Sequence, residues 1–147
     1  MTSGYSGTPL AKKLGIKNGF CVKTVNAPDD YAELLAPVPE NVTICDAGAR
    51  PSAGANHASR SQTDLIHLFT NGRDELFSKL SECVRLIKQD GSIWVSWYKK
   101  SAKLPTEITE DTVREAAFPL GLVDVKVCAV DEKWSGLKLV IRKENRV

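Results

Sequence analysis

Several side chains that could bind a small anion follow the apolar segments of this chain. Lys99 and Lys100 come directly after SIWVSWY, Arg73 comes shortly after DLIHLF, and Trp134 lies in DEKWS between two later apolar segments. Ammonium and guanidinium groups supply positive charge, and an indole supplies a flat face for stacking. These residue types together favour a planar anion as the ligand.

The elements that must position these side chains alternate along the sequence. Apolar strands separated by helices are typical of a mainly parallel sheet covered on both faces. Strands are predicted over 20–25, 42–45, 64–69, 92–98, 122–130 and 136–142, with helices over 29–36, within NGRDELFSKLSECVRLIKQDG and within TEDTVREAAFPL. DEKWS is short enough to form a hairpin, which makes one strand antiparallel. The expected fold is a three-layer Rossmann-like α/β sandwich, mainly parallel, with a C-terminal antiparallel hairpin.

Three residues predict where helices begin and end. Thr109 can cap the helix that starts at TEDTV, and Gly121 can close it. Gly91 is predicted to end the preceding helix in a left-handed conformation. The apolar face of that preceding helix is predicted to contain Leu76, Phe77, Leu80, Val84 and Ile87.

The carboxyl ends of the predicted parallel strands define the expected ligand crevice. Ligands of open α/β sheets bind outside these strand ends. The side chains that the sequence places there, and that we predict to bind the ligand, are Asn26, Thr70, Asn71, Arg73, Lys99, Lys100 and Trp134. Trp97, Asp131, Glu132 and Lys133 are expected near the same crevice.

Catalytic residues and metal ligands are not predicted. Ser96 and Ser135 have no motif around them, and the adjacent Asp131 and Glu132 should point to opposite faces of a strand. His67, in the middle of DLIHLF, is expected to be a hydrogen-bonded core histidine, whereas His57 is expected to be exposed. The four cysteines contain no C-x-x-C pair and are predicted to be structural thiols, with Cys45 the least certain because it ends a strand. We therefore expect neither a cofactor nor a metal.

Composition limits the class of protein. With 147 residues, of which 42% are hydrophobic, the chain fits one α/β domain over 1–147, with 1–13 as an N-terminal arm and 46–63 as a long flexible loop. A net charge of +2 disfavours a dedicated nucleic-acid binder. The sequence lacks an apolar run of about 20 residues that could span a membrane. Its polar start and dispersed thiols predict a cytoplasmic protein.

The order of elements resembles the fold of S-adenosylmethionine (SAM) dependent methyltransferases. LGIKNG is similar to the lead-in to their first strand, and IKQDGSIWVSW is similar to their segment into the fifth. In that family a glycine-rich turn after the first strand approaches the cofactor. Here the turn is Asn26-Ala27-Pro28-Asp29-Asp30, so the resemblance implies the fold but not the SAM site.

A longer resemblance covers most of the chain. SGTPLAKKLGIKNG, DGSIWVSWYKKS and TEDTVREAAFPLGLVDVKVCAVDEKWSGLKLV are similar to a family of small bacterial proteins known only as a domain of unknown function. This resemblance implies a short cytoplasmic protein and supplies no activity and no catalytic residues. Residues 46–63 match the family pattern least well.

Three hypotheses of function remain open at this point. The leading one is a non-catalytic binding or regulatory domain that has lost the cofactor loop. The first alternative is an enzyme that acts on a small anionic substrate at Arg73, Lys99 and Lys100, with the long loop as a lid. The second is a protein-protein module that forms a homodimer through a sheet edge or through Trp134. Nucleic acid ranks last as a partner because the basic residues are scattered.

Overall fold

The computed structural model describes residues 10–36, 38–46 and 63–145, and within them six strands form one sheet. The strands are β1 (Cys21–Val25), β2 (Thr43–Asp46), β3 (Thr63–Phe69), β4 (Ile87–Tyr98), β5 (Leu122–Ala129) and β6 (Trp134–Ile141). The helices are α1 (Leu10–Leu14), α2 (Tyr31–Leu35), α3 (Arg73–Leu86) and α4 (Glu110–Ala117).

The strand order across the sheet is β2-β1-β3-β4-β6-β5. The first four strands are parallel, and β6 is antiparallel to both β4 and β5. The chain passes from β1 to β2 on one side and then crosses to β3 on the other side of β1. The predicted mainly parallel sheet with a C-terminal antiparallel hairpin is confirmed.

Both faces of the sheet are covered by helices. The packing of β3 explains why its sequence is almost continuously apolar. Leu65 and Phe69 pack with α1 and α2 on one face. Ile66 and Leu68 pack with α3 and α4 on the opposite face. Alternate residues of a strand point to opposite faces, so a strand buried on both sides has few polar positions. The result is the expected three-layer sandwich.

The predicted ends of α4 are confirmed. The Thr109 hydroxyl accepts a hydrogen bond from the Thr112 backbone N–H at 3.3 Å, and the Thr109 N–H donates to the Thr112 hydroxyl at 3.1 Å. This reciprocal pair satisfies two groups at the start of the helix. After a short 3-10 turn, Gly121 takes a left-handed conformation with φ of 82°, as its position predicted.

The prediction that Gly91 ends α3 is wrong. The helix ends at Leu86, and Ile87 is already extended at the start of β4. Gly91 is a buried strand residue, and a Cβ there would lie 2.8 Å from both the Asp64 carbonyl oxygen and Ile87 Cγ1. This position therefore requires glycine because β3 and the start of β4 approach closely, not because the chain turns.

Two predicted segments lie partly or wholly outside the described residues. Residues 1–9 and 47–62 are among those not described, so the N-terminal arm and the long loop remain predictions. Leu10–Leu14 forms α1, Asp46 ends β2 and Thr63 begins β3.

All four cysteines are free, with Cys83 buried and Cys45 exposed.

Candidate functional site

The crevice between the carboxyl ends of β1 and β3 is the position at which the chain reverses its direction across the sheet. Such a switch point is the usual ligand site of an open α/β sheet. β1 and β3 are direct neighbours, with Val25 opposite Leu68. Asn26 and Thr70 lie just beyond their ends, so these two predicted residues are brought together.

Asn26 and Thr70 are joined by a residue that sequence analysis missed. Glu75, in the first turn of α3, accepts a hydrogen bond from the Thr70 hydroxyl at 2.6 Å and one from the Asn26 side-chain amide at 3.2 Å. The same amide donates to the Phe69 carbonyl oxygen at 3.1 Å. Asn26 itself has a φ of 61°, so it turns the chain sharply after β1. These side chains form an internal bridge across the crevice.

The N-terminus of α3 is also occupied by the protein's own groups. The Arg73 backbone N–H donates to a carboxylate oxygen of Glu107 at 2.7 Å, and the Glu107 N–H donates to the Asn71 carbonyl oxygen at 2.8 Å. The Asn71 side-chain oxygen accepts from the Tyr98 N–H at 2.8 Å. A helix N-terminus favours a nearby negative charge. Here the Glu107 carboxylate supplies that charge.

Arg73 points its guanidinium toward α4 and forms two hydrogen bonds with Glu115, the shorter at 2.7 Å. The group also lies 4.8 Å from the centre of the Phe77 ring. Hydrogen bonding and charge attraction from Arg73 lower the pKa of the Glu115 carboxyl. Because both side chains are largely exposed, the pair contributes little to stability. Arg73 is thus engaged on the helical layer.

Lys99 and Lys100 lie at a separate groove beside the end of β4 and the start of α4. Its volume is about 570 Å³. Ser135 adds a hydroxyl group to its wall, while Glu110 and Asp111 add carboxylates that also pair with Arg114. The full lining is Trp97, Tyr98, Lys99, Lys100, Thr106, Ile108, Thr109, Glu110, Asp111 and Ser135. The groove therefore has both positive and negative groups.

Trp134 begins β6 and folds back onto the sheet. Its ring meets Phe69 edge to face at 4.9 Å and is tilted against Tyr98 at 4.6 Å. The Asp131 carboxylate shapes the preceding turn by accepting hydrogen bonds from the backbone N–H groups of Lys133 and Trp134 at 2.8 and 2.9 Å. Sequence analysis considered Trp134 as a stacking face for a ligand and as a dimer contact. In the structure its ring packs against Phe69 and Tyr98.

The structure therefore does not gather the predicted residues into one site. Asn26 and Thr70 belong to the bridged crevice, and Asn71 lies beside it at the start of α3. Arg73 is paired with Glu115, and Trp134 packs on the sheet. Lys99 and Lys100 line the groove beside α4. Sequence analysis missed Glu75 and Glu107. Glu75 had one available signal, because an acidic residue in the first turn of a helix stabilises its dipole, but that signal does not reveal long-range partners. Glu107 lies before α4 and had no such signal.

His67 lies in the core, as its sequence context predicted. It has 0% exposure, and burial lowers its pKa to about 3, so the ring is neutral near neutral pH. His57 lies outside the described residues. Within the described ranges, the structure contains no group of three or more His, Cys, Asp or Glu side chains arranged to hold a metal ion. No helix in these ranges is long and apolar enough to cross a membrane.

Two solved methyltransferase structures share the fold of this chain. A protein from Sulfolobus solfataricus assigned as a type 11 methyltransferase superposes with a TM-score of 0.61 at 15% identity, covering 87% of this chain and 86% of its own. A SAM-dependent methyltransferase from Aquifex aeolicus gives a TM-score of 0.58 at 16% identity, covering 89% and 87% of the two chains. The chain therefore has a methyltransferase-like fold.

Comparison of the sequence with known protein families identifies the family of this chain. Residues 11–143 match the family described as "Protein of unknown function (DUF3052)", and this chain belongs to it. No curated protein matches the sequence. Membership confirms the resemblance inferred from the N-terminal and C-terminal motifs.

Proposed function

We propose that this chain is a non-catalytic binding or regulatory domain that uses a methyltransferase-like fold without SAM. One observation carries the proposal: Glu75 and Glu107 accept the hydrogen bonds offered at the switch-point crevice and at the N-terminus of α3. A ligand entering there would have to displace these bonds. An anionic ligand would also meet two carboxylates.

The turn after β1 supports the same proposal, because its residues do not fit SAM. The segment NAPDD contains no glycine, and Pro28 has no N–H to offer. The Asn26 amide extends from this turn to the Phe69 carbonyl oxygen, across the entrance between the strands. A cofactor that needs the close backbone approach of a glycine-rich turn would not find it here.

Isothermal titration calorimetry with SAM, paired with a thermal-shift measurement, tests the proposal. We expect no heat of binding and no shift in Tm at SAM concentrations up to about 1 mM, because a ligand that binds the folded state must stabilise it. A dissociation constant in the micromolar range would contradict the proposal. So would transfer of a labelled methyl group from SAM to any acceptor in a cell extract.

A second candidate function, an enzyme acting on a small anionic substrate, is favoured by the groove beside α4. Lys99 and Lys100 supply positive charge there, and Ser135 supplies a hydroxyl group that can donate to anionic oxygens. Glu110 and Asp111 on the groove wall add carboxylates that could accept or donate a proton. Arg73, which the sequence grouped with the lysines, pairs with Glu115 instead.

Replacing both lysines tests this placement. The Lys99→Ala/Lys100→Ala variant should lose the thermal shift produced by whichever small carboxylate or phosphate of a screening panel stabilises the wild type. Its Tm without ligand should be nearly unchanged, because both side chains lie at a strand end. A Lys79→Ala/Lys143→Ala variant removes the same charge elsewhere and should retain the shift. An unaffected shift in the first variant would reject the groove as the binding site.

A further inference from the structure

Two lysines lie side by side on the face of the sheet that also carries α1, and a third, Lys17, is close enough for its charge to act on one of them. Lys126 of β5 and Lys138 of β6 are direct cross-strand partners. Lys138 Nζ lies 3.6 Å from the position of a Cβ at Gly15, so it reaches the turn that follows α1. Lys17 lies in that same turn region. We name Lys17, Lys126 and Lys138 the lysine cluster.

The segment around α1 holds the cluster together. Lys126 Nζ donates to the Lys13 carbonyl oxygen at 3.4 Å, which links β5 to the end of α1. Beneath Lys138, its other cross-strand partner Trp94 donates from its indole N–H to the Leu14 carbonyl oxygen at 3.0 Å. The cluster therefore sits on an ordered framework of two strands and one helix end.

The arrangement is unfavourable for the folded protein by itself. Like charges directly opposite each other on antiparallel strands repel. Partial burial, together with the charges of Lys126 and Lys17, lowers the pKa of the Lys138 ammonium group. A fold that tolerates such a local cost commonly does so at a functional site.

The part of the chain that the structure describes places no carboxylate beside the cluster. In the described ranges, none of the three lysines has a carboxylate within ion-pairing distance. The segments 1–9 and 47–62, which lie outside those ranges, contain no Asp or Glu in their sequence. Asp46, whose side chain is not described, belongs to β2 at the opposite end of the sheet. A bound anion would supply the negative charge that the described residues do not place beside the cluster.

We propose that the lysine cluster is a binding site for a compact, multiply charged phosphate group. Lysine ammonium groups act as compact point charges and suit phosphate. The ring nearest to the cluster in the sheet, Trp94, is fully buried and offers no stacking face for a base. The site is separate from the groove of Lys99 and Lys100, because the groove is formed with α4 on the opposite face of the sheet.

Calorimetry and thermal shift with pyrophosphate at low ionic strength test the site. Pyrophosphate should raise the Tm of the wild type more than sodium chloride at the same ionic strength. In the Lys17→Gln/Lys126→Gln variant, which changes two exposed side chains, the affinity should fall about tenfold or more because two cations are lost. Without ligand, this variant should be at least as stable as the wild type, because the repulsion on Lys138 is removed.

Control measurements of binding define the results that would contradict the proposed site. The Lys99→Gln/Lys100→Gln variant should bind pyrophosphate as the wild type does, and an equal loss of affinity there would place the phosphate in the groove instead. Unchanged affinity in the Lys17→Gln/Lys126→Gln variant would also overturn the proposal. A single-stranded DNA oligonucleotide distinguishes the source of phosphate: if it binds while pyrophosphate neither binds nor competes, a compact phosphate site is wrong.

Discussion

The Nε2 atom of His67 lies 2.7 Å from the Ser96 hydroxyl oxygen, and both residues have 0% exposure. On the other side of the ring, Nδ1 lies 2.8 Å from the Tyr31 hydroxyl. These contacts connect α2, β3 and β4 through one imidazole. A serine beside a histidine can be a nucleophile beside its base, but here no substrate can reach either atom. The pair stabilises the layer between the sheet and α2.

His67 should make the protein less stable in mild acid. Its pKa is about 3 in the folded protein and about 6.5 when unfolded. Between these values the unfolded chain binds a proton that the folded chain does not, so the free energy of unfolding falls as pH is lowered, by up to about 1.4 kcal/mol per pH unit. Urea denaturation followed at a series of pH values measures this slope.

The comparison variant is His67→Gln, which cannot titrate. Its free energy of unfolding near neutral pH should be lower than that of the wild type, because the contacts with Tyr31 and Ser96 are altered. Between neutral pH and mild acid, the free energy of unfolding of this variant should fall less than that of the wild type. Equal pH slopes for the two proteins would show that His67 does not control the acid sensitivity.

Glu75 should stabilise the crevice that it bridges. Glu75→Ala removes the hydrogen bonds with Thr70 and Asn26 and a favourable charge at the start of α3. We expect the free energy of unfolding to fall by about 1 to 2 kcal/mol. Glu82→Ala, on an exposed position of the same helix, is the matched control and should change stability little. Urea denaturation that finds equal stability for both variants would contradict an internal role for Glu75.

Gly91→Ala should destabilise the protein through overpacking. The added Cβ would lie 2.8 Å from the Asp64 carbonyl oxygen and Ile87 Cγ1, so the backbone must move. A loss of about 1 to 3 kcal/mol in the free energy of unfolding is expected. Gly72→Ala is the control, since its Cβ would meet nothing closer than 3.8 Å. If both alanines are tolerated equally in thermal melts, the close approach of β3 and β4 is not as described.

Thr109→Ala should weaken the start of α4. The change removes the hydroxyl that accepts from the Thr112 N–H, and loss of such a cap costs about 1 kcal/mol. Thr109→Ser keeps the hydroxyl and should retain most of the stability. Circular dichroism during urea unfolding compares the two variants. A serine variant as unstable as the alanine variant would indicate that the methyl group, not the cap, matters.

The sequence by itself determined the elements and the fold class, because both depend on local patterns. β3 is apolar on both faces, and Thr109 and Gly121 mark their helix ends with side chains or conformations that act within a few residues. The alternation of strands and helices then leaves few topologies that obey right-handed connection rules. The end of α3 was mispredicted because Gly91 fits a helix stop equally well until its contact with Asp64 is known.

Only the tertiary structure decided which charged side chains form hydrogen bonds or ion pairs with each other and which like charges lie side by side. Glu75 reaches Asn26 across 49 positions of sequence and Arg73 reaches Glu115 across 42, distances over which no local pattern operates. The cross-strand position of Lys126 opposite Lys138 likewise depends on a register shift in the hairpin between Asp124 and Lys126. The two-residue period of a strand determines which face of the sheet a side chain occupies. The register between two strands determines which residue lies opposite it, and that register depends on the packing of the whole sheet.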